Sequence, residues 1–317
     1  MKIADIKSTW NNIFFKEAPV DGICLFRILL GTVLLMNFCQ DLSHFQDFWG
    51  PLGLQSVETF RNHFNGFHLN LFHLLEGTHA SLYLILGLHF ASLMGFLFGY
   101  KTRISSIVLL ITLTSINQRN INMLNSADIL LRIMAILMVF APAGNKFSID
   151  AMIAKRKGER LKENWAPWVH RLVQIQIAVV YLSTVWAKAK GDLWFDGTAV
   201  YYATRLEDFT RFSVPFILDN LITLKMITWS SLAIELALGS LIFIDELRKK
   251  VIVIGVSFHL GIEYMMSIPT FEILMIACLL AMFKVEEYPA LLKQFEIKWE
   301  GFKTKLQPVF LPQGRRN

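Results

Sequence analysis

Charge is scarce in this sequence. Asp, Glu, Lys and Arg together make up 18% of its 317 residues, where a soluble domain carries roughly 25%. Hydrophobic residues fill the deficit at 54%, and mean hydropathy is +0.45. The apolar excess lies in long blocks, which excludes a soluble enzyme, a nucleic-acid module and a disordered tail, and marks a polytopic membrane protein. Cysteine is sparse as well. Cys24, Cys39 and Cys278 are the three present; they make no metal-binding spacing and no even-numbered disulfide framework, so buried small hydrophobes are expected. No H-E-x-x-H pattern occurs, and no metal is expected. The N-terminus lacks the marks of a secretory signal, because Asp5, Glu17 and Asp21 precede the first apolar run and no small-x-small cleavage site follows it. Acidic residues are outnumbered, 25 against 31 Lys and Arg, for a net charge of +6. The basic residues sit in short loops between apolar blocks, where they set orientation in a bilayer rather than bind nucleic acid.

A helix needs about 20 mostly apolar residues to cross the hydrocarbon core. The blocks at roughly 20–39, 80–100, 104–117, 128–142, 169–187, 221–244, 251–267 and 270–284 predict about eight spans. Lys101 and Arg103 follow the second, a basic run from Lys146 to Lys162 follows the fourth, and Arg248, Lys249 and Lys250 follow the sixth. Alternate loops are poorer in Lys and Arg: residues 40–79 hold Arg61 alone, beside five histidines. An even span count with both termini cytoplasmic, in the cell (inner) membrane, puts every basic-rich segment inside. The predicted fold is all-α integral membrane: a polytopic helical bundle of about eight spans, with amphipathic interfacial helices in two outer loops, 40–79 and 188–220. Residues 1–285 form the transmembrane domain and 286–317 a basic amphipathic cytoplasmic tail.

An ionisable group at the bilayer centre costs about 2.5–3.5 kcal/mol on insertion scales, so such residues face the bundle interior and point to function. Arg27, His89, Asp128, Arg132, Glu235, His259, Glu263 and Glu272 fall in the predicted spans or at their ends. Asp128 and Arg132 share a helix face, either as a structural ion pair or as part of a site. His259 and Glu263 have the same spacing, and a carboxylate that holds a histidine tautomer is the expected arrangement. Glu235 has no charged partner on its own helix and either pairs with Arg27 or stays protonated. In the eight-span arrangement Asn120, Asp128, Lys188, Glu263 and Glu272 lie toward the outer face, which predicts one polar cavity opening outward.

The stretch from Tyr181 to Ala199 carries Lys188 at the end of a span, then Gly191, Trp194, Gly197 and Ala199, and then the paired aromatics Tyr201 and Tyr202. That pattern resembles the HTTM family, which shares the membrane domain of vitamin K-dependent gamma-carboxylase. Phe26 to Gly31, Arg119-Asn120 ahead of Asp128, and Ala141 to Asp150 resemble further family segments in order, so that the resemblance covers about residues 15–285. It implies that Lys188 is a general base toward a bound quinone/hydroquinone. The alternative for Lys188 and Lys190 is that both snorkel to headgroups. One family feature has no counterpart, because no histidine lies between His89 and His170.

Two functions follow as expectations. The first is a gamma-carboxylase-like enzyme acting on a lipid-soluble, quinol-type cofactor or substrate from an outward-facing polar cavity. Lys188, His259 and Glu263 would be catalytic, and Asn120, Asp128, Arg132, Trp194, Tyr202, Glu235 and Arg27 would bind substrate or cofactor. The second is a non-catalytic membrane protein for binding, maturation or export. Membrane lipids are the expected partners, with a small lipid-soluble ligand or a peptide.

Overall fold

The computed structural model describes residues 3–63, 70–75, 78–212, 216–268 and 270–283, together with Trp299. The basic tail expected over 286–317 lies outside the described residues apart from Trp299, as do residues 64–69 of the aromatic stretch in the first long loop.

The described chain is all-α apart from one antiparallel pairing of Ala18–Pro19 with Asn164–Trp165. Its helices are α1 (Ile3–Phe14), α2 (Asp21–Leu42), α3 (Phe45–Trp49), α4 (Val57–His63), α5 (Leu71–Leu74), α6 (His79–Phe98), α7 (Thr102–Arg119) and α8 (Ser126–Phe140). There follow α9 (Ile149–Arg156), α10 (Trp168–Lys188), α11 (Asp192–Phe195), α12 (Ala199–Ala203), α13 (Leu221–Ser240), α14 (Asp245–Met265) and α15 (Phe271–Leu280). The apolar windows read from the sequence fall on α2, α6, α7, α8, α10, α13, α14 and α15. Among the described residues three segments, Asp21–Leu42, His79–Phe98 and Leu221–Phe243, are long and apolar enough to cross a membrane by length and composition. α2 and α6 carry apolar residues all round instead of on one stripe, as suits a helix with apolar surroundings on every side.

The long helices pack as two consecutive sets. α2, α6, α7 and α8 make one and α10, α13, α14 and α15 the other, with α2 against α15 and α8 against both α10 and α15 joining them. One buried core runs through both sets, from Cys24, Phe26 and Leu30 to Leu238, Ile252 and Leu274. Cys24 and Cys278 are buried free thiols within it.

Polar residues of the first set act mainly as clamps and caps. Arg27 is fully buried on α2 and donates to the backbone carbonyls of Ala143, at 2.7 Å, and Phe147. It thereby ties α2 to the turn after α8, and it does not meet Glu235. Asp150, in the first turn of α9 just beyond that turn, accepts from the Lys101 and Thr102 amides, both at 2.8 Å, and so closes the open N-terminus of α7. Arg119 donates to the carbonyls of Gln55 and Gly50, Asn120 to that of Phe48, and the Trp49 indole N–H to that of Ile116. These bonds seat α3 and α4 on α7 over a small second core of Phe45, Trp49, Phe60, Phe72, Leu82, Ile85 and Ile116. Asp128 completes a capping box at the start of α8, accepting from the Asn125 amide at 3.0 Å while the Asn125 side chain accepts from the Ala127 and Asp128 amides.

Candidate active site

The second helix set holds a cavity of about 630 Å³, within the 300–1,000 Å³ typical of small-molecule sites. Its walls are mostly apolar, with Leu218, Ile227, Phe258, Met265, Phe271 and Met275 among them. Two hydrogen-bonded polar groups face into these walls.

Lys188 and Glu235 form the first. Lys188 ends α10 and Glu235 lies on α13, and Nζ donates to Oε1 at 2.5 Å. The glutamate side chain is 8% exposed and the lysine 22%. The helices approach closely because Gly239 lets the Leu182 side chain and backbone through: a Cβ there would meet Leu182 Cγ at 2.8 Å. The Trp194 ring, on α11, lies 4.4 Å from Lys188 Nζ, measured to its centroid, in a cation–π contact. Gly197 makes that placement possible. Its φ of +84° is left-handed, and a side chain would strike Lys225 on α13 at 2.8 Å. Glu235 Oε2 is buried and has no hydrogen-bond partner among the described residues. A buried carboxylate oxygen in that state is an unfilled acceptor.

Tyr181, His259 and Glu272 form the second group. His259 Nε2 is 2.7 Å from the Tyr181 hydroxyl, and Nδ1 is 2.5 Å from Glu272 Oε2. All three residues are about 3% exposed. Tyr181, Thr184 and Lys188 recur at i, i+3 and i+7, so one face of α10 carries both polar groups into the cavity. Glu272 reaches back to α14 because the chain reverses sharply between α14 and α15. Thr270 sits there at φ +62°, an uncommon conformation for a β-branched residue, and its hydroxyl donates to Gln40 on α2 at 2.9 Å.

Of the residues singled out from the sequence, Lys188, Trp194, Glu235 and His259 line this cavity, and Glu272 lines it with them. The expected pairing of His259 with Glu263 is replaced by His259 with Glu272. Glu263 instead accepts from Arg211 Nη2 at 2.9 Å, because the 204–212 segment crosses the end of α14, where Thr210 bridges Met266 and Arg211 offers a full positive charge. Pairing with Arg27, one of the two alternatives for Glu235, is likewise replaced by Glu235 with Lys188. Asn120, Asp128, Arg132 and Arg27 belong to the first helix set and do not line the cavity, and their hydrogen bonds, where described, serve loops and caps. Tyr202 is 53% exposed and packs edge-on against Tyr201. The structure therefore brings only part of this expected set into one cavity. Tyr181 was not singled out, although its spacing from Lys188 placed both on one helix face. No cluster of three or more His, Cys, Asp or Glu able to hold a metal occurs among the described residues.

A family model described as HTTM domain matches residues 15–286. The curated relative YitO of Bacillus subtilis (strain 168), described as an uncharacterized protein, is 25% identical over 116 residues. That match covers 34% of this chain and 37% of the relative, so it spans little more than a third of either. No solved structure matches.

Proposed function

The chain belongs to the HTTM domain family, and from that premise we propose that it is a quinol-dependent membrane enzyme related in mechanism to gamma-carboxylase. It crosses the cell (inner) membrane eight times with both termini cytoplasmic, through α2, α6, α7, α8, α10, α13, α14 and α15. This arrangement puts the Lys188 end of α10 and the Glu272 end of α15 toward the outer face. The ligand is a lipid-soluble quinol held in the cavity between Lys188–Glu235 and His259.

The observation that carries the proposal is an apolar chamber with a buried Lys188–Glu235 pair on its wall and Glu235 Oε2 left as an open acceptor. A flat ring with hydroxyls fits such a chamber. The apolar walls take the ring, the indole of Trp194 offers a face beside it, and Glu235 Oε2 accepts from a hydroxyl. Once Lys188 passes its proton to Glu235 Oε1 across their hydrogen bond, the ligand hydroxyl turns from Oε2 to the free amine, which takes its proton and, as an ammonium, neutralises the oxygen anion. The 204–212 segment, latched by Arg211 and Glu263, runs beside the chamber and contributes Thr204 to its lining. When bound, a quinol supplies a weakly acidic hydroxyl and, in the family resembled, a reaction with oxygen that makes a stronger base.

The test is to extract the lipids retained by the purified wild-type protein. About one quinone per chain is expected, falling below a tenth of that in Lys188→Met/Glu235→Leu. Stoichiometric wild-type protein carrying no quinone overturns the proposal and favours a non-catalytic binding or maturation role for the cavity.

A further inference from the structure

We infer that Tyr181, His259 and Glu272 form a second proton-accepting arm of the cavity, which takes a proton from the far hydroxyl of a ligand bearing one hydroxyl at each end of a flat ring. The inference rests on the proposed quinol-type ligand and extends it to both of that ligand's oxygens.

With Glu272 as a carboxylate and His259 as a neutral imidazole, the hydrogen-bond roles along the arm run in one direction. A carboxylate only accepts, so the His259 nitrogen facing Glu272, Nδ1, carries a hydrogen. In a neutral imidazole the other nitrogen, Nε2, is then the acceptor. The Tyr181 O–H therefore donates to Nε2, and the lone pairs of its oxygen are available to the cavity that Tyr181 lines. Nearby hydroxyls can accept a hydrogen bond, but among the described residues Thr184 and Ser231 have no histidine behind them to take a proton onward. Thr184 Oγ1 donates back to the Val180 carbonyl and Ser231 Oγ to that of Thr228, so both are oriented by their own helices. Glu235 Oε2 at one end and the relayed Tyr181 oxygen at the other are thus two acceptors placed for a ligand's two hydroxyls.

The transfer balances. A ligand O–H bond breaks as its proton passes to the Tyr181 oxygen, and the Tyr181 proton moves to His259 Nε2. Tyrosine ends neutral, the ligand oxygen carries the negative charge, and the imidazolium is held against the Glu272 carboxylate. This is the usual role of a carboxylate behind a histidine base, orienting the ring and stabilising its charged form. No oxidant is involved. The spacing also fits. Tyr181 and Lys188 are two turns apart on one face of α10, roughly 10 Å of axial rise, which one aromatic ring with a hydrogen bond at either end fills.

The experiment titrates 1,4-naphthoquinol and its monomethyl ether, without oxygen, into the full chain in detergent. Affinity and the absorption band of the ionised naphthol are both recorded. The wild type is expected to bind the quinol about tenfold more tightly than the ether, because the ether can satisfy one pole only. In Tyr181→Phe the two ligands bind equally. In Lys188→Met/Glu235→Leu, which removes the first pole without leaving a lone buried charge, the ionised band persists. It disappears when His259→Gln is added.

The outcomes separate the two claims. If the wild type does not bind naphthoquinol, the cavity's ligand and this arm fall together. If it binds, but Tyr181→Phe weakens both ligands equally or the band is lost with Lys188 and Glu235 alone, only the arm is overturned.

Discussion

Glu235→Leu is expected to destabilise the folded chain by about 3 kcal/mol, because it leaves Lys188 as a largely buried cation without its counterion. Breaking a buried pair from one side costs about 3–5 kcal/mol, whereas replacing both members with apolar residues of similar size is near neutral. The lysine keeps 22% of its side chain exposed, so the low end of that range applies. Adding Lys188→Met to Glu235→Leu should therefore restore most of the loss. Unfolding in detergent, followed by denaturant or heat for the two single variants and the double, measures this directly. Additive single effects, with the double variant worst of all, would mean that the two side chains are not coupled as their 2.5 Å contact requires.

Arg27→Leu carries the second large effect. The guanidinium is 0% exposed and supplies hydrogen atoms to two backbone carbonyls, those of Ala143 and Phe147. Without it both carbonyls stay buried and unsatisfied, each costing about 1–3 kcal/mol, for a combined loss of roughly 2–6 kcal/mol. Asp150, at the start of α9 directly after this turn, caps α7, so the damage spreads to the α6–α7 junction. Arg27→Lys keeps the charge but not the planar fork, and an intermediate loss is expected. Thermal unfolding of both variants is the check. Because Arg27 does not line the cavity, ligand affinity of the folded fraction should stay within about twofold of the wild type, a shift near the uncertainty of independent sites.

The cost of placing charge in an apolar helix made part of the site legible before any coordinates. Lys188, Glu235 and His259 stand out in long apolar runs, where an ionisable side chain must face the bundle interior, and all three line the cavity. The same rule could not separate chemistry from construction. Arg27 and Asp128 are set in apolar stretches for equally good reasons, one clamping carbonyls and the other capping α8. A rule based on charge also passes over Tyr181, whose hydroxyl is inexpensive in such surroundings, and only its seven-residue spacing from Lys188 marks it. The partner of His259 was beyond local reading. Glu263 has the favourable i+4 spacing, yet the carboxylate at the ring nitrogen comes from Glu272, across the reversal at Thr270. In the fold itself the apolar windows located the long helices well. The short α3, α4, α11 and α12 could not be placed from periodicity, because their positions depend on bonds to distant segments, such as Arg119 to Gly50 and Gln55.

Photolabelling with an azido-naphthoquinone in native membranes, with the modified residues mapped by mass spectrometry, tests most directly whether the chamber between the two polar groups receives a quinol-type ligand. Labels are expected on the cavity-facing residues of α10, α13, α14 and α15, among them Thr184, Ser231 and Met275, and an excess of unlabelled naphthoquinol should suppress them. Labels confined to exposed positions such as Trp186, Ile222 and Leu260, and indifferent to that excess, would contradict the assignment.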